Sequence, residues 1–150
     1  MMDAVGQVQE CIAALLNAQT WFAAHGVEII QQNKADLAFL LNKQVGALQN
    51  VVMVVGCDHM TNQNPALEMT ITVTAVENVP LNRARDGWCS AIDAVQAAIY
   101  VIDGEWWHFD NMSHDTPAER VLQATATFRG LVKRVYAEGE VASPTENQGE

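Results

Sequence analysis

From Leu67 to Val76 the chain reads LEMTITVTAV, and oily residues alternate with others without a break. Leu67, Met69, Ile71, Val73 and Ala75 fall on one side of an extended chain. Glu68, Thr70, Thr72, Thr74 and Val76 fall on the other. Only a β-strand has this period of two, and a strand that is greasy on one face needs a cover on that face alone. The chain must therefore supply a sheet with helices packed on one side.

The rest of the sequence supplies both. VVMVVGC at 51–57 is β-branched and apolar on both faces, which predicts a central strand covered on both sides within the chain, or by helices on one side and a partner subunit on the other. The polar stretch DHMTNQNP at 58–65 reads as a loop, so strands 51–57 and 67–76 are expected to pair antiparallel. VEIIQQ at 27–32 is a short strand candidate. EWWHFDN at 105–111 reads as a strand with aromatics on both faces, and His114 to Pro117 as loop. Glu119 to Val135 reads as a long final strand in which Gly130 marks a bulge or kink.

Three helices are predicted. Residues 4–22 carry Val5, Val8, Ile12, Leu15, Leu16 and Gln19 at helical spacing, with Asp3 as N-cap. Residues 34–45 place Leu37, Leu40, Leu41 and Val45 on one face, with Gly46 at the C-cap position. Residues 88–102 carry Trp88, Ile92, Val95, Ile99 and Ile102, and Asp86 and Ser90 are alternative starts. The order is α-β-α-β-β-α-β-β: an α+β fold with a mainly antiparallel or mixed sheet of about five strands and helices on one face. Residues 1–136 form one domain, and residues 137–150, polar and acidic with no apolar periodicity, read as a disordered tail.

Charge narrows the function. Eighteen acids against eight bases give a net charge of −10. Such a chain repels phosphate backbones and anionic membranes over most of its surface, so neither nucleic acid nor membrane is an expected partner. The three cysteines are widely spaced without a CxxC pair, which points to a reducing cytoplasm and not to a disulfide framework. No signal peptide is visible, and no apolar run is long enough to span a bilayer.

No motif for bond chemistry stands out. GxSxG, GxGxxG and the Walker pattern are all missing. Cys57 and Cys89 have no spacing to a histidine that singles either out as a nucleophile, and Cys89 falls in a helix stripe. The reading is therefore of a protein without enzymatic activity and without a cofactor. A metal-binding alternative uses His59, His108, Asp110 and His114, whose side chains are metal-competent. Cys57 and Asp58 are consecutive on a strand, point apart, and do not readily share an ion.

Interface candidates are clearer. Trp106 and Trp107 are adjacent, so on a strand one enters the core and the other needs cover from elsewhere, the role of an interface anchor. Thr70, Thr72 and Thr74, with Thr125 and Thr127, form a polar, uncharged face that meets another chain without desolvating charges. Asp58 and His59, at the end of a central strand, are further interface candidates. Arg83 and Arg85 stand on a loop of an acidic chain, placed to pair with acids of a neighbouring identical copy.

Over residues 3–136 the element order resembles the tail terminator, or tail completion, proteins of tailed bacteriophages and prophages. The Ala-rich leading helix, the passage ITVTAVENVPLNR at 71–83 and the final strand ending in Lys133-Arg134 are similar to that family. The resemblance implies a homo-oligomeric ring, commonly hexameric, that caps the tail tube and joins it to the head connector. The chain would then work in the host cytoplasm during assembly and end in the virion tail. Its partners would be itself, the tail tube protein and the head–tail connector. A further alternative is an acidic adaptor that binds one cognate protein.

Overall fold

A computed structural model describes residues 4–31, 48–63 and 66–132. Along the chain these form α1 (Ala4–Asn17), α2 (Thr20–Ala24), β1 (Glu28–Gln31), β2 (Val52–Gln63) and β3 (Ala66–Asn78). There follow α3 (Val79–Arg83), α4 (Ala91–Ile102), β4 (His108–Ala118) and β5 (Val121–Val132). The strands make one five-stranded mixed sheet in the order β1-β2-β3-β5-β4. β1 runs parallel to β2, and the remaining neighbours are antiparallel. The fold is α+β, as the strand pattern required. The predicted helix 34–45, the Lys133-Arg134 pair and the acidic tail 137–150 lie outside the described residues.

Strand alternation builds the core. The odd residues of β3 from Met69 to Ala75 are fully buried, and they join Met53 and Val55 of β2 and Ala124, Ala126 and Phe128 of β5. The cover comes from Ile12 and Leu16 of α1, Phe22 of α2 and the Ala91, Ala94, Val95, Ala98 stripe of α4. The alanines let α4 lie close on the sheet. At roughly 25 cal/mol per Å² of apolar surface removed from water, this layer is the main source of stability. β2 is covered on both sides as expected: Val52 and Val54 point away from the helices and pack with Ile30 and Leu48.

Several boundaries differ from the sequence reading, each for a local reason. The helix expected over 4–22 breaks at Gln19, whose backbone is extended. At about 100° per residue, Leu16 and Phe22 would lie far apart around one continuous helix. The break turns both into the same core. The polar stretch after Cys57 is strand up to Gln63, paired with β3 through a bulge at Asp58. Likewise His114 to Pro117 belong to β4, where the register shifts between Asp115 and Ala118 and so tolerates the proline. Polarity there reflects an edge strand in solvent. α4 begins at Ala91, with Ser90 as N-cap in a reciprocal capping box with Asp93, so Trp88 precedes the helix. Trp106 sits in a turn before β4 and Trp107 in an isolated bridge to Asp103, both outside the strands. β3 pairs through Gly130 without a register shift, so no bulge occurs there.

Candidate interaction surface

The sheet face turned away from the helices is ordered in rows across the strands. Thr72 lies opposite Thr127, and Thr74 opposite Thr125 with hydroxyl oxygens 3.1 Å apart. Thr70 lies between His59 of β2 and Arg129 of β5. Thr70 and Thr74 are buried and Thr72 half-buried. The threonine face is thus far less open than the sequence suggested. It gives way to a charged cleft of about 380 Å³ lined by Asp58, His59, Thr61, Glu68, Thr70, Asp110, Thr127 and Arg129. In it His59 Nδ1 lies 3.1 Å from Asp58, and Arg129 donates to Asp110 at 3.3 Å.

The metal alternative does not assemble. His108 is paired with Arg129 on the outer face, whereas His114 is paired with Ala124, a residue of the helix-covered core. Paired residues share a face, so these two histidines point to opposite sides of the sheet. Among the described residues no three His, Cys, Asp or Glu side chains converge.

At the end of the sheet where β5 finishes, the chain turns sharply from α4 into β4. Gly104 N–H donates to the Trp107 carbonyl at 2.8 Å, and Phe109 N–H to the Asp103 carboxylate at 2.9 Å. This turn separates the two tryptophans. Trp107 packs against the core and presses on Gly130, where a Cβ would come within 2.6 Å of its ring. Trp106 is 77% exposed beside Leu131, itself 65% exposed. Two clefts meet at this pair. One, of about 350 Å³, is lined by Gln7, Val8 and Cys11 of α1 with Trp106, Trp107, Leu131 and Val132. The other, of about 520 Å³, is lined by Trp106 and Leu131 with Glu68, Glu105, His108, Gly130 and Arg129. Beside them runs β4, an edge strand exposed along nearly its whole length.

Arg83 and Arg85 are used inside the chain, which corrects the expectation that they reach a neighbouring copy. Glu77 ends β3 fully buried. It accepts from Ala91 N–H at 2.7 Å, from Asn82 Nδ2 at 2.8 Å and from the Arg83 guanidinium at 3.3 Å. The Arg83 guanidinium also lies 4.9 Å from the centre of the Trp88 ring. Asn82 bridges on to the Cys89 carbonyl and accepts from Arg85 at 2.6 Å. Arg85 in turn donates to the His25 carbonyl at 3.1 Å and thereby ties this network to the turn before β1. Asn78 caps α3 by accepting from Leu81 N–H, with Pro80 in its first turn. The segment ENVPLNR is therefore a structural joint between β3 and α4. Sequence reasoning passed over Glu77 and Asn82. The signal was present: Glu77 continues the inward phase of Met69 to Ala75, where a carboxylate needs buried partners.

Cys89 sits under this joint, and its thiol is pushed up to about 11, first by burial and then by the Asp93 and Glu77 carboxylates, with Arg85 opposing. A thiol held neutral in this way is a packing residue, not a nucleophile.

No protein-family model matches the chain, and no curated protein matches it. Among solved structures it is similar to two proteins from Akkermansia muciniphila. One, determined without its transmembrane region, has a TM-score of 0.37 at 8% identity over 86% of this chain and 85% of that chain. The other has a TM-score of 0.38 at 8% identity over 88% and 79%. Likeness at this level says nothing of what the chain does. Among the described residues no helix is long and apolar enough to cross a membrane.

Proposed function

We propose that this chain is an assembly protein without enzymatic activity, and that it belongs functionally with phage tail terminators: a ring-forming protein that closes a tail tube. The observation that carries the reading is the open end of the sheet. There the edge strand β4 and the exposed Trp106 and Leu131 lie side by side, and large apolar groups displayed together mark protein contact sites. An edge strand offers unpaired backbone donors and acceptors to a sister copy, and the tryptophan beside it is left to anchor a second protein such as the tube. The specific identity rests on the element order and on the 71–83 passage.

Light scattering on the purified chain, alone and with tail tube protein, tests it. The expected result is a closed oligomer, alone or on the tube, that Ser113→Pro in mid-β4 weakens, and a tube contact that Trp106→Ala weakens, with circular dichroism unchanged in both variants. A chain that remains monomeric at high concentration and does not sediment with tube protein refutes the proposal.

A further inference from the structure

We infer that the groove on either side of Trp106 receives a segment of a different protein, one that carries lysine or arginine next to an apolar side chain. The inference builds on the assembly reading and names the chemistry of the partner at this end of the sheet.

The groove has two halves of different character that share Trp106 and Leu131. The half against α1 is lined by Gln7, Val8, Cys11, Trp107 and Val132, none of them charged. It suits an apolar side chain. The half against β3 holds Glu68 and Glu105 around the open indole. The face of an exposed indole attracts a cation, and two carboxylates at its rim add to that attraction. Arg129, the cation already in this half, is turned to Asp110. A basic group flanked by an apolar one would satisfy both halves at once.

Charge decides between a second copy and a foreign partner. The chain carries −10, so a second copy, even one paired along β4, brings mostly acid to an already acidic groove. Among the described residues the arginines are Arg83, Arg85, Arg120 and Arg129. Arg83 is committed to Glu77, Arg85 to Asn82 and His25, and Arg129 to Asp110. Arg120, at the β4–β5 turn, is exposed. The described residues thus have little positive charge to place between Glu68 and Glu105 of a sister, and the four bases outside them, Lys34, Lys43, Lys133 and Arg134, are already counted in the −10. A basic partner is drawn by the whole field of the chain and then held locally.

The test is an NMR titration of the full chain, following the indole N–H of Trp106, assigned by its loss in Trp106→Phe. The probes are two capped tetrapeptides, Leu-Lys-Arg-Leu and Leu-Glu-Glu-Leu. The basic peptide should shift the Trp106 signal to saturation, with affinity falling about tenfold between roughly 50 and 300 mM salt. It should fall by a similar factor in the Glu68→Gln, Glu105→Gln double variant. The acidic peptide should do nothing. Three results overturn the inference: no shift with the basic peptide, equal shifts with both peptides, or binding that the double variant leaves intact. A Trp106 signal that moves with protein concentration alone would also overturn it, by giving the groove to a second copy. Light scattering on the same samples separates the two claims. A chain that forms rings yet ignores the basic peptide refutes the groove inference and spares the assembly reading. A chain that binds the peptide but never assembles does the reverse.

Discussion

Replacing Glu77 with alanine should destabilise the chain more than any other single polar substitution at the β3–α4 joint. The carboxylate is fully buried and four donor contacts end on it. Truncation leaves the Ala91 N–H and one Asn82 amide proton inside the protein without their acceptor, and each such orphan costs about 1–3 kcal/mol. Arg83 adds less, because its side chain is 37% exposed and can turn to water. Relief of the carboxylate's own desolvation offsets part of the sum. The net is about 4 kcal/mol, most of it from the two orphaned donors. For a chain of this size that corresponds to a drop in Tm of about 8–16 °C. Glu77→Gln keeps one acceptor oxygen but turns an NH2 toward the other donor, and should cost about 2 kcal/mol. Arg83→Ala should cost about 1 kcal/mol or less. Urea denaturation of the three variants measures all of this. A loss below about 1 kcal/mol in Glu77→Ala, or an equal loss in Arg83→Ala, would refute the argument, since the buried donors and not the ion pair are held to dominate.

Gly26→Ala forces a side chain onto a backbone at φ +72° and brings its Cβ within 2.5 Å of the Arg85 guanidinium, so it should cost about 1–3 kcal/mol in urea titrations. Gly130→Ala should push the Trp107 ring away and change the near-ultraviolet circular dichroism, because the ring and the Trp106 carbonyl both crowd that position. The folded chain holds the Cys89 proton to about 11, whereas the unfolded thiol releases it near 9.0, so stability should be intact below pH 9 and fall as pH rises from there to about 11; Cys89→Ala should flatten that slope in denaturation curves taken across the window. In the folded state a thiol reagent should label exposed Cys11 well before buried Cys89, which mass spectrometry of timed samples will show. Zinc or a chelator should leave Tm unchanged, since His108 and His114 face opposite sides of the sheet.

The fold was legible where side-chain period decides structure. The alternation from Leu67 to Val76, the doubly apolar 51–57 run and the α4 stripe each determine which face is covered, and the sheet follows. Strand ends were not legible, because Thr61 or Ser113 in solvent looks the same in a loop and in an edge strand; a partner's backbone makes the difference. The split of Trp106 from Trp107 was anticipated, though by strand alternation, whereas the turn closed by Asp103 and Gly104 produces it. The arginines misled for a more instructive reason. A basic residue in an acidic chain looks available until its own acid is found, and Glu77 lies in the inward phase of a strand where solvent-facing charge is not expected. An interruption of an apolar phase by a carboxylate is the feature that would have revealed the joint.

The two ends of the sheet divide the labour between stability and contact. Register places Asn78 of β3 opposite Val121 at one end of β5, and Leu67 opposite Val132 at the other. Glu77 lies opposite Leu122 and the groove is lined by Gly130 and Leu131, so eight to nine residues of β5 separate the joint from the groove, about 26–30 Å at roughly 3.3 Å per residue. At the joint every strong polar group of Glu77 and Asn82 is taken up internally, which anchors α4 on the core. At the groove Trp106 and Leu131 are left uncovered, at a cost in apolar exposure that the buried layer beside them tolerates. Substitutions at such separation, with no shared partners, should act independently. Glu77→Ala should then lower stability without changing the affinity of the groove at temperatures where the chain is still folded, and Trp106→Ala should abolish that affinity with under about 0.5 kcal/mol lost in stability. A Trp106→Ala variant as unstable as Glu77→Ala would mean that the exposed indole supports the fold, and the case for a contact surface at this end would fail.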